Sequence, residues 1–209
     1  MMHTIQQGGP LMVPIALFSI AALAVIIERL ITFSTLAFPD DIALGRITEL
    51  MRQKKSDEAQ ALIQETGGAF TDLCLAALGP EEKEERESAA GYAGDAVLFT
   101  LGRRLDFLAM IATTTPLMGL LGTVLGMIHV FASVAGAGNA ADISLLADGI
   151  WQALITTAAG LAVAVPALIA HGYFTRKIKK TAFWMQHTAA ALIKAGIKPK
   201  SSIFYAQSA

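Results

Sequence analysis

The sequence predicts an all-α membrane protein: three transmembrane helices, the second and third extended into the cytoplasm as long helices. Two observations predict it. Hydrophobic residues make up 54% of the 209 and charged residues only 16%, against roughly 45–50% and about 25% in soluble domains. Mean hydropathy is accordingly high, at +0.54. A chain this short that hid all its apolar residues from water would need a core larger than its size permits, so the surplus faces lipid. The second observation is that the apolar residues are gathered into three long stretches. A net charge of −1 shows no basic bias towards a polyanion, which argues against nucleic acid as a partner. The single cysteine, Cys74, cannot close an intrachain disulfide.

A short outer segment, residues 1–9, precedes the first span, placed at 10–33. Leu11 to Ile27 is uncharged with Ser19 as its only hydroxyl, and Glu28-Arg29 closes it before Leu30-Ile31-Thr32-Phe33. No Lys or Arg precedes Arg29, so the basic start of a signal peptide is missing and the run reads as a membrane helix. The second and third spans, 108–135 and 149–175, lie in uncharged runs of 35 residues (Phe107 to Ala141) and 27 residues (Gly149 to Thr175). Each exceeds the roughly 20 apolar residues that cross a bilayer core. The turn between them, 136–148, starts Gly136-Ala137-Gly138-Asn139, a composition suited to a tight connection.

Basic residues set the orientation. The segment 34–107 holds eight Lys and Arg and the tail 176–209 holds seven, whereas the first ten residues and the turn hold none. The positive-inside rule then puts the N-terminus and the turn outside, and the middle segment and the tail in the cytoplasm. Gly79-Pro80-Glu81-Glu82 is a helix start, with proline at the first position and carboxylates at the positive end of the dipole. From there the pattern predicts one helix running from about 80 to 135, and span three continuing past Phe183-Trp184-Met185 to about Lys194. Two short amphipathic helices are expected in 41–75, packed on that stalk.

The membrane helices carry small residues and hydroxyls. Gly119, Gly122 and Gly126 in span two, and Gly149, Ala153, Thr157, Gly160 and Ala164 in span three, are spaced for close helix packing, small-xxx-small fashion. With the hairpin apex near Asp142, Thr123 lies 19 residues before it and Thr157 lies 15 after, a depth difference of ~6 Å at 1.5 Å per residue. Two readings stay open at this point. Level threonines line a polar pathway, or each hydroxyl bonds a carbonyl of its own helix one turn back. His129 and Gln152 fall near one level closer to the outer side, where each pairs with the other or meets interfacial water. His129 and His171 differ in depth by ~24 Å, and His3 and His187 fall on opposite sides of the membrane, so the histidines make no metal site. No catalytic constellation is visible, and an enzyme is not expected. Spans two and three contain no carboxylate, Lys or Arg, and intramembrane proton relays rest on ionisable groups. A proton-conducting role therefore needs a carboxylate from another chain.

Three blocks, in order, resemble the ExbB/TolQ/MotA family of bacterial inner-membrane motor subunits. They are Gly8-Gly9-Pro10-Leu11 with Glu28-Arg29-Leu30, then Arg103-Arg104-Leu105-Asp106 through Gly119-Leu120-Leu121-Gly122-Thr123, and Gly149-Ile150-Trp151-Gln152 through Thr156-Thr157 to Pro166. The resemblance implies a multi-pass inner-membrane protein with a periplasmic N-terminus and a cytoplasmic C-terminus, without cofactor. It further implies a homo-pentamer around a single-span ExbD/TolR-like partner whose membrane Asp carries the proton. A TonB/TolA-like transducer would receive the motion. On this resemblance Thr123 and Thr157, with Thr156 beside the latter, line the ion pathway, and Gln152 and His129 stand towards its exit. Gln152 departs from the pattern, because ExbB and TolQ sequences carry Glu at the matching place. Three spans favour the ExbB/TolQ branch over the four-span stator, and the glycine-proline start with Glu28-Arg29 leans towards ExbB-like members. A membrane scaffold without ion flow is the competing reading, and hydroxyls alone leave sodium open as the coupling ion.

Overall fold

The computed structural model describes residues 9–35, 41–53, 55–78, 82–137 and 143–195, which form seven helices. They are α1 (Met12–Thr35), α2 (Asp41–Arg52), α3 (Ser56–Thr66), α4 (Gly68–Leu78), α5 (Lys83–Gly102), α6 (Leu105–Ala137) and α7 (Ile143–Ala195). No strand occurs among the described residues. Three helical stretches are long and apolar enough to cross a membrane: Met12–Ser34, Lys83–Ala135 and Leu146–Lys194. The outer N-terminal residues 1–8, the helix-start residues 79–81, the hairpin apex 138–142 and the tail 196–209 lie outside the described residues.

Contacts divide the chain into two units, Met1–Arg29 with Arg104–Phe174, and Leu30–Arg103 with Thr175–Ala209. In the first unit, α1 buries Ile15, Ala22, Val25 and Arg29, spaced to share one helix face. Val13, Leu17, Ile20 and Ile27 are exposed. α6 and α7 each contain one proline, Pro116 and Pro166. Each removes one backbone donor, which a membrane helix tolerates better than a soluble one because neighbouring helices and hydroxyl side chains compensate.

The second unit has its own core. Leu44, Ile47 and Met51 of α2, Ala59 and Ile63 of α3, and Phe70, Leu73 and Cys74 of α4 pack with Ala90 of α5 and Met185, Leu192 and Ile193 of α7. Thr71 Oγ1 donates to the Ile63 carbonyl at 2.8 Å, tying α4 to α3. On the solvent side of α2, Arg52 donates twice to Glu49 at 2.8 Å. Together with Gln53 it holds the Glu49 carboxyl at about 2, though an exposed pair of this kind adds little stability.

Two expectations are corrected. The segment 41–78 forms three helices instead of two, because Gly67 and Gly68 turn the chain with φ of +66° and +69°, a region glycine enters without steric cost. The single helix expected from about 80 to 135 is interrupted. α5 ends at Gly102, Arg103 is extended (ψ 132°), and Arg104 adopts φ +65°, a conformation uncommon for a residue with a Cβ. The first-unit partner that Arg104 gains there is the Glu28 carboxylate.

Candidate functional site: the α6–α7 seam and its adjoining cavities

Glycine lets α6 and α7 meet backbone to backbone. A Cβ on Gly119 would lie 3.0 Å from Thr157 Cα, and one on Gly160 would lie 2.8 Å from the Thr115 carbonyl oxygen. Further along, Gly122 faces Thr156 and Gly126 faces Ala153, with virtual Cβ contacts of 2.5 and 2.9 Å, and Gly149 faces Val130 more closely still. These pairings run antiparallel in steady register. Ala164, the last member of the small-residue series, is buried in the same unit. Apolar side chains gain little from meeting one another in lipid, so close backbone approach and interhelical hydrogen bonds hold such a pair.

The register puts the threonines together. Thr123 follows Gly122, whose partner is Thr156, so Thr123, Thr156 and Thr157 share a level to within one or two residues, ~3 Å at the helical rise. Their hydroxyls do different things. Thr123 donates to the Leu120 carbonyl at 2.7 Å. Thr156, buried, donates to the Gln152 carbonyl at 3.0 Å. Both are local bonds of the kind that shields a hydroxyl within its own helix. Thr157 instead crosses the seam and donates to the Gly119 carbonyl at 2.8 Å. Thr115, which the sequence reading did not single out, is buried and donates to the Ile111 carbonyl at 2.6 Å.

Beyond the threonines, towards the C-terminal end of α6, lie two adjoining cavities. One, of about 310 Å³, is bounded by Gly9, Gly122, His129, Gln152 and Thr156 among others. The next, of about 350 Å³, is bounded by His129, Ser133, Asp148, Trp151 and Gln152. His129 and Gln152 therefore border both, without a hydrogen bond joining them to each other. The Gln152 amide packs against Gly9, where a Cβ would lie 3.3 Å from Nε2 and φ is +74°. The sequence reading missed Asp148 as a neighbour of this pair. The signal was present: Asp148 stands four residues before Gln152, on the same helix face.

At the other end of this unit Glu28 gathers two arginines. Its carboxylate accepts from Arg29 Nη2 at 2.9 Å and from Arg104 Nη1. Arg29 is only 3% exposed, so its charge depends on close anionic partners. Among the described residues no group of three or more His, Cys, Asp or Glu is placed to hold a metal.

Residues 49–187 match the family model described as the MotA/TolQ/ExbB proton channel family. The chain is similar to the biopolymer transport protein exbB1 of Vibrio cholerae, 38% identical over 107 residues, covering 51% of this chain and 47% of that protein. It is 33% identical over 165 residues to the putative biopolymer transport protein ExbB-like 3 of Synechocystis, covering 78% of this chain and 79% of that one. The Tol-Pal system protein TolQ of Haemophilus influenzae is 40% identical over 79 residues, 38% of this chain and 34% of TolQ. The matches thus span about half of the Vibrio protein's length and about a third of TolQ's. With two thirds of its length matched in order and three helices fit to cross a bilayer, the chain is a multi-pass membrane protein and belongs to the MotA/TolQ/ExbB proton channel family.

Proposed function

We infer that this chain is a proton-channel subunit of a bacterial inner-membrane motor. It would assemble as a homo-pentamer with an ExbD/TolR-like single-span partner and drive a TonB/TolA-like transducer for import across, or upkeep of, the outer membrane. The observation that carries this reading is the level set of Thr123, Thr156 and Thr157 beside the glycine seam, in two helices whose apolar stretches hold no carboxylate, Lys or Arg. Such a lining offers hydroxyls to a proton carried by something else, and the partner's membrane carboxylate would be that carrier. Gln152 and His129 lie on the outer side of this level, where the positive-inside rule places the periplasm. The segments 34–107 and 176–209 then face the cytoplasm. Each proton moved down the potential supplies ~2.3 kcal/mol per 100 mV, spent on relative motion of partner and pentamer.

Thr157→Val tests this. Valine keeps the shape of threonine and removes the hydroxyl that crosses to Gly119. Interhelical hydrogen bonds in membranes are worth about 0.6 kcal/mol on average, so packing and assembly are expected to survive. Energised transport is expected to be lost. A variant that assembles and transports as before would favour the non-conducting scaffold.

A further inference from the structure

The outer half of the pathway has one group able to hold a proton where the two cavities meet. His129 and Gln152 are the residues common to both, and an amide neither takes up nor releases a proton, whereas an imidazole nitrogen does both. We propose that His129 is the proton-exchanging residue of the outer half-channel, taking protons delivered past Asp148 and passing them inward to the threonine level. This rests on the proton-channel reading above, and with flow directed inward it makes His129 part of the entrance, not of the exit that the resemblance implied.

Geometry sets the parts. The cavity outside His129 is bordered by Asp148 and Ser133, a carboxylate and a hydroxyl at its wall. The cavity inside it reaches Thr156 of α7 and Gly122 of α6, the latter seven residues from His129, which is ~10 Å at the helical rise. That is too far for direct transfer to a carboxylate at the threonine level. A space of about 310 Å³ has room for several waters at ~30 Å³ each, enough to bridge the gap. Among the described residues, α7 presents Asp148 to His129 as its charged neighbour, α6 presents none, and the N-terminal segment contributes Gly9, Pro10 and Leu11, all uncharged. The proton balance is simple. Hydronium from the outer side protonates a ring nitrogen and leaves water. The imidazolium N–H then breaks, its proton passes along the water file to the partner's carboxylate, and neutral imidazole is restored. Gln152, which borders both cavities beside Gly9, lines this route as a hydrogen-bonding wall.

The test is proton flux through the complex, co-purified with its single-span partner and reconstituted in liposomes, followed with a pH-sensitive dye under an imposed membrane potential. His129→Gln, checked for retained partner, is expected to lower flux on the order of tenfold or more, at or below the factor a positioned proton-transfer group supplies. Adding Gln152→Glu to His129→Gln is expected to restore flux, because a carboxylate at the same cavity junction again exchanges protons. His129→Gln with unchanged flux, or a double variant no better than His129→Gln, overturns the assignment of His129. A wild-type complex that conducts no better than empty liposomes overturns the channel reading itself, a result distinct from either.

Discussion

Cys74 and Thr157 show two ways in which burial decides what a single side chain does. Cys74 packs in the α2–α5 core, and that burial pushes its thiol from the ordinary 9 up to about 12. The thiolate is the attacking form, so at any pH below about 9 the folded protein holds roughly a thousandfold less of it than an exposed cysteine would. Maleimide labelling of the native protein at pH 7–8 is expected to be negligible and to become rapid on denaturation. Prompt labelling at pH 7 would mean that α4 leaves this core in solution. The threonines show the limit of residue-level reading. Counting from the hairpin apex places Thr123 and Thr157 at one depth, and the glycine contacts keep that order. Which carbonyl each hydroxyl takes is set by rotamer and by the neighbouring helix. Nothing in the local sequence therefore separates Thr157, bonded across the seam, from Thr156, bonded within its own helix.

At the scale of elements, the seam between α6 and α7 depends on where glycine stands, and one helix supplies its own control. Gly160 and Gly172 both lie inside α7, so alanine gains the same helix propensity at either, about 1 kcal/mol. The surroundings differ. A Cβ at Gly160 would come within 2.8 Å of the Thr115 carbonyl oxygen and 3.2 Å of Gly119 Cα, both backbone atoms, whereas nothing lies within 4 Å of one at Gly172. Gly160→Ala is expected to destabilise by about 1–3 kcal/mol, the usual cost of overpacking. Gly172→Ala is expected to be neutral or slightly stabilising. Thermal unfolding of the detergent-solubilised protein, followed by helical circular dichroism, checks the pair, and equal midpoints would remove the seam as the reason for these glycines. The small-residue spacing was readable in advance because it is periodic. The Gly67-Gly68 turn was missed although its signal stood in the sequence, since paired glycines punctuate helices. The break at Arg103-Arg104 was not readable, because its cause includes a contact with Glu28, 76 residues away. Local propensity continues a helix through that point.

For the whole molecule, the apolar surface left uncovered argues for company. In the most apolar window of each long helical stretch only 22%, 17% and 28% of the residues are buried within the chain. Leu120, Val124, Ile128 and Phe131 of α6 and Leu154, Leu161, Val165 and Leu168 of α7 stand exposed. Lipid covers such faces at no cost, and the seam hydroxyls are bonded within the chain, but a proton pathway along them needs these faces turned partly towards other subunits. Five copies of 22.0 kDa give about 110 kDa. A complex extracted mildly from its own membrane is expected to show that mass by native mass spectrometry, together with a small co-purifying protein that has one span and one membrane Asp. The partner is the decisive half of this result. The uncharged stretches Phe107 to Ala141 and Gly149 to Thr175 contain no carboxylate of their own. On the proposed reading, a titrating carboxylate at the threonine level would therefore come from a second chain. A homo-oligomer of any size that carries no such partner leaves that level without an ionisable group, and the scaffold reading would then replace the motor.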